Sequence, residues 1–202
     1  MNIIKNFAEK GLKFHKNNQL EEAKKQYLEV LNVDPKNFQI KRLLGLIEFG
    51  LENYENSLKI LDECITEKSN YSEAYSDRGM VNYKIKNIQK AEEDYLKSIS
   101  IDNNINALYN YGNLLKDNER YAEATSCYNR AIESNPNFTK AYQNRAYVNF
   151  IQHKDLEALK DFESLLKFNP ENHDAQFFKA TIELSNENLI EGFKNYEVRW
   201  KY

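Results

Sequence analysis

The stretch Ile105–Phe138, INALYNYGNLLKDNERYAEATSCYNRAIESNPNF, holds two short helical patterns joined by Lys116–Tyr121 and closed by Asn135-Pro136. Its small residues Gly112 and Ala124 stand one on each pattern. Slid along the chain, the segment matches itself about every 34 residues. Small residues recur at Gly11, Gly45, Gly79, Gly112, Ala146 and Ala180, and a second small series runs Ala23, Ser57, Ala91, Ala124, Ala158, Gly192. A large series follows at Tyr27, Leu61, Tyr95, Tyr128, Phe162 and Tyr196. All three prolines, Pro35, Pro136 and Pro170, fall at one position of the unit. Three series in one phase define a repeat.

A helix pair of this length cannot bury its own apolar face, so the repeats are expected to stack into a one-dimensional array. Glycine or alanine at a helix crossing lets two backbones approach, and the large residue of the next helix fills the adjacent space. Most of the tyrosines are therefore read as packing. A bulky residue in place of Gly112 should overpack its crossing at a cost of about 1–3 kcal/mol.

The expected fold is all-α, one solenoid of antiparallel helix pairs over 1–202, with repeats at about 4–37, 38–71, 72–104, 105–138, 139–172 and 173–202. In the first, Phe7, Gly11 and Phe14 share a helix face, Asn17-Asn18 turns, and Leu20, Ala23, Tyr27 and Leu31 form the second stripe before Asp34-Pro35. Repeat two departs most: Lys41 replaces an aromatic, Ser57 an alanine and Ser69 the proline. With Gly45 and Gly50 in one helix it is expected to be the most mobile internal repeat. Repeat three is one residue short, in the Ile101–Asn104 connection. Repeat six stops at Tyr202, before its second helix would normally end.

With 28 basic and 31 acidic residues and a formal charge of −3, the surface lacks the basic excess that marks nucleic-acid binding. Cys64 and Cys127 occupy different positions in repeats two apart, too distant for a disulfide. They are read as buried thiols of a reducing compartment, and a cytoplasmic protein is expected. No apolar run approaches a membrane span, and the start MNIIKNFAEKGLKF enters the first repeat directly. There is no glycine-rich phosphate loop, no Cys-x-x-Cys and no His-Glu-x-x-His. His15, His153 and His173 lie far apart in the repeat frame, so no catalytic site, metal or cofactor is expected.

The period and the small, aromatic and proline positions together resemble the tetratricopeptide repeat, over nearly the whole chain. The resemblance implies a right-handed superhelical solenoid whose first helices line a concave groove for a peptide or partner protein. It places Ser76, Asp77, Met80 and Tyr83 of repeat three on that face, then Tyr109, Asn110, Asn113 and Lys116 of repeat four. Repeat five contributes Gln143, Asn144, Tyr147 and Phe150. A short series of amides there is suited to holding a peptide main chain. One subclass of the family clamps a terminal carboxylate with lysine, asparagine and arginine. Here Asn113 and Asn144 match, but Tyr109, Asp174 and Phe178 stand where basic residues would be, so chaperone-tail binding is not expected.

The terminal GFKNYEVRWKY resembles a segment that closes many bacterial arrays and often precedes a glycosyltransferase domain. Gly192, Phe193, Tyr196, Glu197, Arg199 and Trp200 carry that likeness. Two readings follow. The first is a non-catalytic interaction module, not itself an enzyme. The second is the substrate-recognition region of a bacterial protein glycosyltransferase whose catalytic domain lies outside these residues. The aromatics at the end of the chain also raise the expectation of a homodimer through that end.

Overall fold

A computed structural model describes residues 2–185. Among them are eleven helices and no strand: α1 (Asn2–Lys16), α2 (Leu20–Val33), α3 (Phe38–Gly50), α4 (Tyr54–Glu67), α5 (Ser72–Lys84), α6 (Ile88–Asp102), α7 (Ile105–Asp117), α8 (Tyr121–Ser134), α9 (Thr139–Ile151), α10 (Asp155–Phe168) and α11 (His173–Ser185). They fall into two compact units, Met1–Ala107 and Leu108–Tyr202. The expectations for Gly192–Trp200, the second helix of repeat six and a dimer through that end lie outside the described residues.

Each turn within a repeat is built the same way, from a residue in the left-handed region. These are Asn18, Glu52, Lys86, Glu119 and His153, with φ between 54° and 66°. The residue after each donates its amide back five places into the preceding helix: Gln19 to Phe14 O at 2.9 Å, Asn53 to Glu48 O at 2.8 Å, Arg120 to Leu115 O at 2.9 Å. This closure satisfies carbonyls that a helix end leaves bare. Left-handed backbone costs a non-glycine residue about 1–2 kcal/mol, and glycine's extra unfolded-state entropy returns about half of that. Glu119→Gly is thus expected to raise the unfolding free energy by about 0.5 kcal/mol, read by urea denaturation; a loss of stability would contradict the strain.

Connections between repeats differ. Asp34, Lys68, Asn135 and Asn169 leave their helices with φ between −129° and −144°. The short repeat three instead runs α6 on to Asp102 and turns at Asn103, φ 55°. Asn37, Asn104 and Asn172 then cap the next helices, each side-chain oxygen accepting from the amide three residues on, at 3.0–3.1 Å.

In the first unit each helix packs on the next, from α1 through α6. Ala23, Tyr27, Val30, Ile40, Leu44 and Ile47 form one buried cluster, with Phe7, Phe14 and Leu20 against it. Cys64, Ile65, Tyr71 and Ala74 form another. Two of the departures in repeat two find a partner. Ser57 Oγ donates to Gly45 O at 2.7 Å, and Lys41 reaches Glu67 at 2.6 Å. His15 lies 3.4 Å from the Tyr27 hydroxyl, and burial holds its pKa below the ordinary value. The unfolded chain therefore takes up this proton first as pH falls, so stability from this site drops below about pH 6.5. His15→Gln should flatten that limb in denaturation measured at pH 5 and pH 7.5.

In the second unit α8 packs on α9, α9 on α10 and α10 on α11. Ala146, Ala158, Phe162, Leu165, Ala175 and Ile182 make the core, bordered by Tyr142, Phe150 and Phe178. At the α7–α8 crossing a methyl placed on Gly112 would stand 2.5 Å from Tyr128 Cε1. Gly79 meets Tyr95 in the same way in the first unit.

Candidate functional site

On α5, Ser76 is only 2% exposed. Its neighbour Asp77 is ion-paired with Arg42 of α3. Met80 is half-buried, and Tyr83 lies under the Lys86 ammonium, 5.8 Å from the ring centroid. In this unit the polar side chains at the expected positions are largely committed to the array itself.

The second unit is more open. Asn144 Nδ2 donates to Asn113 Oδ1 at 2.6 Å and to the Tyr109 hydroxyl at 3.3 Å. Asn113 Oδ1 also accepts from the Tyr128 hydroxyl at 2.9 Å. Tyr128 is fully buried, and burial drives its phenol pKa far up, so this acceptor keeps a buried donor satisfied. The expected amide series is therefore divided. Asn113 and Asn144 tie α7, α8 and α9 together through the Asn113 oxygen and the Asn144 amide group, which leaves the Asn144 oxygen over. Asn110 and Gln143 make no hydrogen bond with the described residues, and Gln143 is exposed. An unengaged amide offers a donor and an acceptor to a ligand.

Gln143 and Asn144 also border a cavity of about 100 Å³, with Tyr147, Phe162, Asp174, Ala175 and Phe178. Phe178 stacks on Phe162 at 5.6 Å with an interplanar angle of 10°, and meets Tyr147 edge-on at 5.9 Å. Phe150 backs this group, 5.1 Å from Phe178. Lys116 stands over the Tyr147 ring at 5.9 Å and reaches Asp117 at 3.3 Å. Asp174 and Phe178 enter the site as lining residues that the sequence showed only as departures from a basic clamp. Their place in the repeat frame, on the first helix of the repeat that follows Gln143 and Asn144, was the available signal.

Among the described residues no group of three His, Cys, Asp or Glu side chains could hold a metal ion, and no helix is long and apolar enough to cross a membrane. Both cysteines are free and buried, and burial pushes each thiol up to about 11. Reactive thiols are lowered instead.

Models of the tetratricopeptide repeat match residues 9–72, 72–105 and 105–138. Residues 9–138 are tetratricopeptide repeats. Arrays of this kind present extended binding surfaces and serve as protein-interaction scaffolds. A human protein named protein O-mannosyl-transferase TMTC3 is 23% identical over 197 residues, covering 90% of this chain and 22% of the relative. The chain spans less than a third of the length of the curated relatives it matches. Among solved structures, PilW, a type IV pilus biogenesis factor, aligns over 100% of this chain and 96% of its own with a TM-score of 0.83 and 13% identity. YrrB, described as a tetratricopeptide protein with an unusual peptide-binding site, aligns over 85% and 89% with a TM-score of 0.70 and 18% identity. At these identities the structures establish the fold.

Proposed function

We propose that this chain is a non-catalytic interaction scaffold that holds an extended peptide or partner segment on the first helices of its repeats. The carrying observation is on α7 and α9. There the unengaged amide of Gln143 and the 40%-exposed Tyr147 border an aromatic-walled cavity, and Asn110 on α7 adds a second unengaged amide. A main chain needs such donors and acceptors, and an exposed ring supplies apolar contact at low entropic cost. Free buried thiols and a near-balanced charge fit a cytoplasmic protein partner better than nucleic acid.

The test replaces Asn110, Gln143 and Tyr147 together by alanine. Affinity purification from source cells should lose the captured partner while circular dichroism is unchanged. An unchanged set of captured proteins would overturn the assignment. Asn113 and Asn144 are poor choices here, because removing them strands the Tyr128 hydroxyl and destabilises the array by about 1–3 kcal/mol.

A second reading, the recognition region of a protein glycosyltransferase, is favoured by one observation: a relative matched over 90% of this chain carries a transferase name. Its catalysis would reside outside these residues. An immunoblot of source cells for the native size, followed by a sugar-transfer assay on the native protein, decides it. A band near 23.9 kDa with no transfer removes this reading.

A further inference from the structure

We infer that the cavity framed by α9, α10 and α11 receives the cationic end of an arginine or lysine side chain from the bound peptide. This rests on the reading of the α7–α9 surface as a peptide site and names the residue class it selects. Among the described residues Asp174 is the only charged one lining the cavity, and its carboxylate makes no ion pair or hydrogen bond with them. The Asn144 amide has spent its donor group on Asn113 and Tyr109, which leaves Oδ1 as an acceptor at the same rim. A carboxylate and an acceptor oxygen call for a ligand rich in N–H donors.

The walls agree. Tyr147 and Phe178 meet edge-on and the buried Phe162 lies beneath, so an entering chain passes along aromatic faces. Aromatic faces attract cations, and the methylene stem of a long basic side chain packs on them while its head reaches a polar rim. Volume narrows the choice. A cavity of about 150 Å³ admits benzene, so about 100 Å³ is small for a phenyl or indole ring and suits a guanidinium or an ammonium with its last methylenes. The neighbouring Lys116 is the opposing charge. It lies over the Tyr147 ring, outside the lining, and its ammonium is 3.3 Å from Asp117, which offsets it.

The experiment uses the full chain and fluorescein-labelled blocked heptapeptide pools carrying arginine, citrulline, leucine or glutamate at a fixed centre. Anisotropy titrations are run at 50 and 300 mM salt, and amide shifts of Gln143 and Asn110 are followed by NMR. The arginine pool is expected to bind at least 10-fold tighter than the isosteric, neutral citrulline pool, and the glutamate pool weakest. Asp174→Asn, at an exposed position, should erase the arginine–citrulline difference while the leucine pool is unchanged. Equal binding of arginine and citrulline, with the Gln143 and Asn110 shifts present, overturns the cationic pocket and leaves the peptide surface standing. No shift with any pool overturns both.

Discussion

Gly112→Val is expected to destabilise the chain by about 3 kcal/mol, the upper end of what overpacking a core costs. At this chain length that lowers the melting temperature by roughly 6–12 °C. The cause is local. A Cβ on Gly112 falls 2.5 Å from Tyr128 Cε1 and 3.0 Å from Cδ1 and Cζ, so the whole ring must move. Tyr128 is fully buried, and its hydroxyl is held by Asn113, so moving the ring also costs that hydrogen bond. Repeat five shows the remedy, since the equivalent crossing is made by Ala146 and Phe162, both buried. Gly112→Ala alone should cost about half as much as valine, because alanine recovers about 1 kcal/mol of helix propensity. Adding Tyr128→Phe frees the ring to shift as Phe162 does and should bring stability back to within about 1 kcal/mol of the parent. Urea denaturation of the four proteins decides it. A double variant as unstable as Gly112→Val would mean that ring anchorage is not what limits the crossing.

That crossing also explains why the fold was legible in the sequence. Every repeat needs a small residue facing a large one at the same two positions, so the constraint is printed at a fixed period as Gly79 with Tyr95 and Gly112 with Tyr128. The polar side chains obey no such rule. Asp77 and Asn144 occupy equivalent positions, yet one is ion-paired to Arg42 and the other is bonded to Asn113 and Tyr109. Whether an amide faces a ligand or a neighbouring repeat depends on what stands one repeat back, which spacing alone does not state. The left-handed turns were hidden for a related reason: Glu52, Lys86 and Glu119 adopt a conformation that glycine would have advertised. Lys41 and Ser57 read as weakening departures, but they find Glu67 and the Gly45 carbonyl once the helices are packed. The cavity at Asp174 and Phe178 arises from three helices meeting, and no one of their sequences contains it.

Asp161→Ala is expected to cost about 3 kcal/mol, through the charge it strands. Asp161 is 4% exposed and takes two hydrogen bonds from Arg145, at 2.8 Å from Nε and 2.6 Å from Nη2. The third arm of the guanidinium reaches Asn129 of α8, and its plane lies 5.5 Å from the Tyr142 ring centroid. The same arrangement stands in the first unit, where Arg78 joins Asp94 and Asp62 and lies 5.5 Å from Tyr75. Such an arginine couples both helices of its own repeat to the second helix of the repeat before. Without the carboxylate it keeps only Asn129 and the ring, too little to offset its desolvation; its side chain is 20% exposed, which holds the cost at the low end for a broken buried pair. Repeat four does without the pair altogether, placing Tyr111 and Cys127 at these positions, both buried. Arg145→Tyr with Asp161→Cys should therefore recover most of the loss, ending within about 1 kcal/mol of the parent, because replacing a buried ion pair with packed apolar groups is often neutral. If the single variant loses less than 1 kcal/mol, the pair contributes no more than an exposed one does. If the double variant is as unstable as the single, the guanidinium's reach to Asn129 is what sets the register between repeats, and repeat four must achieve it by another contact.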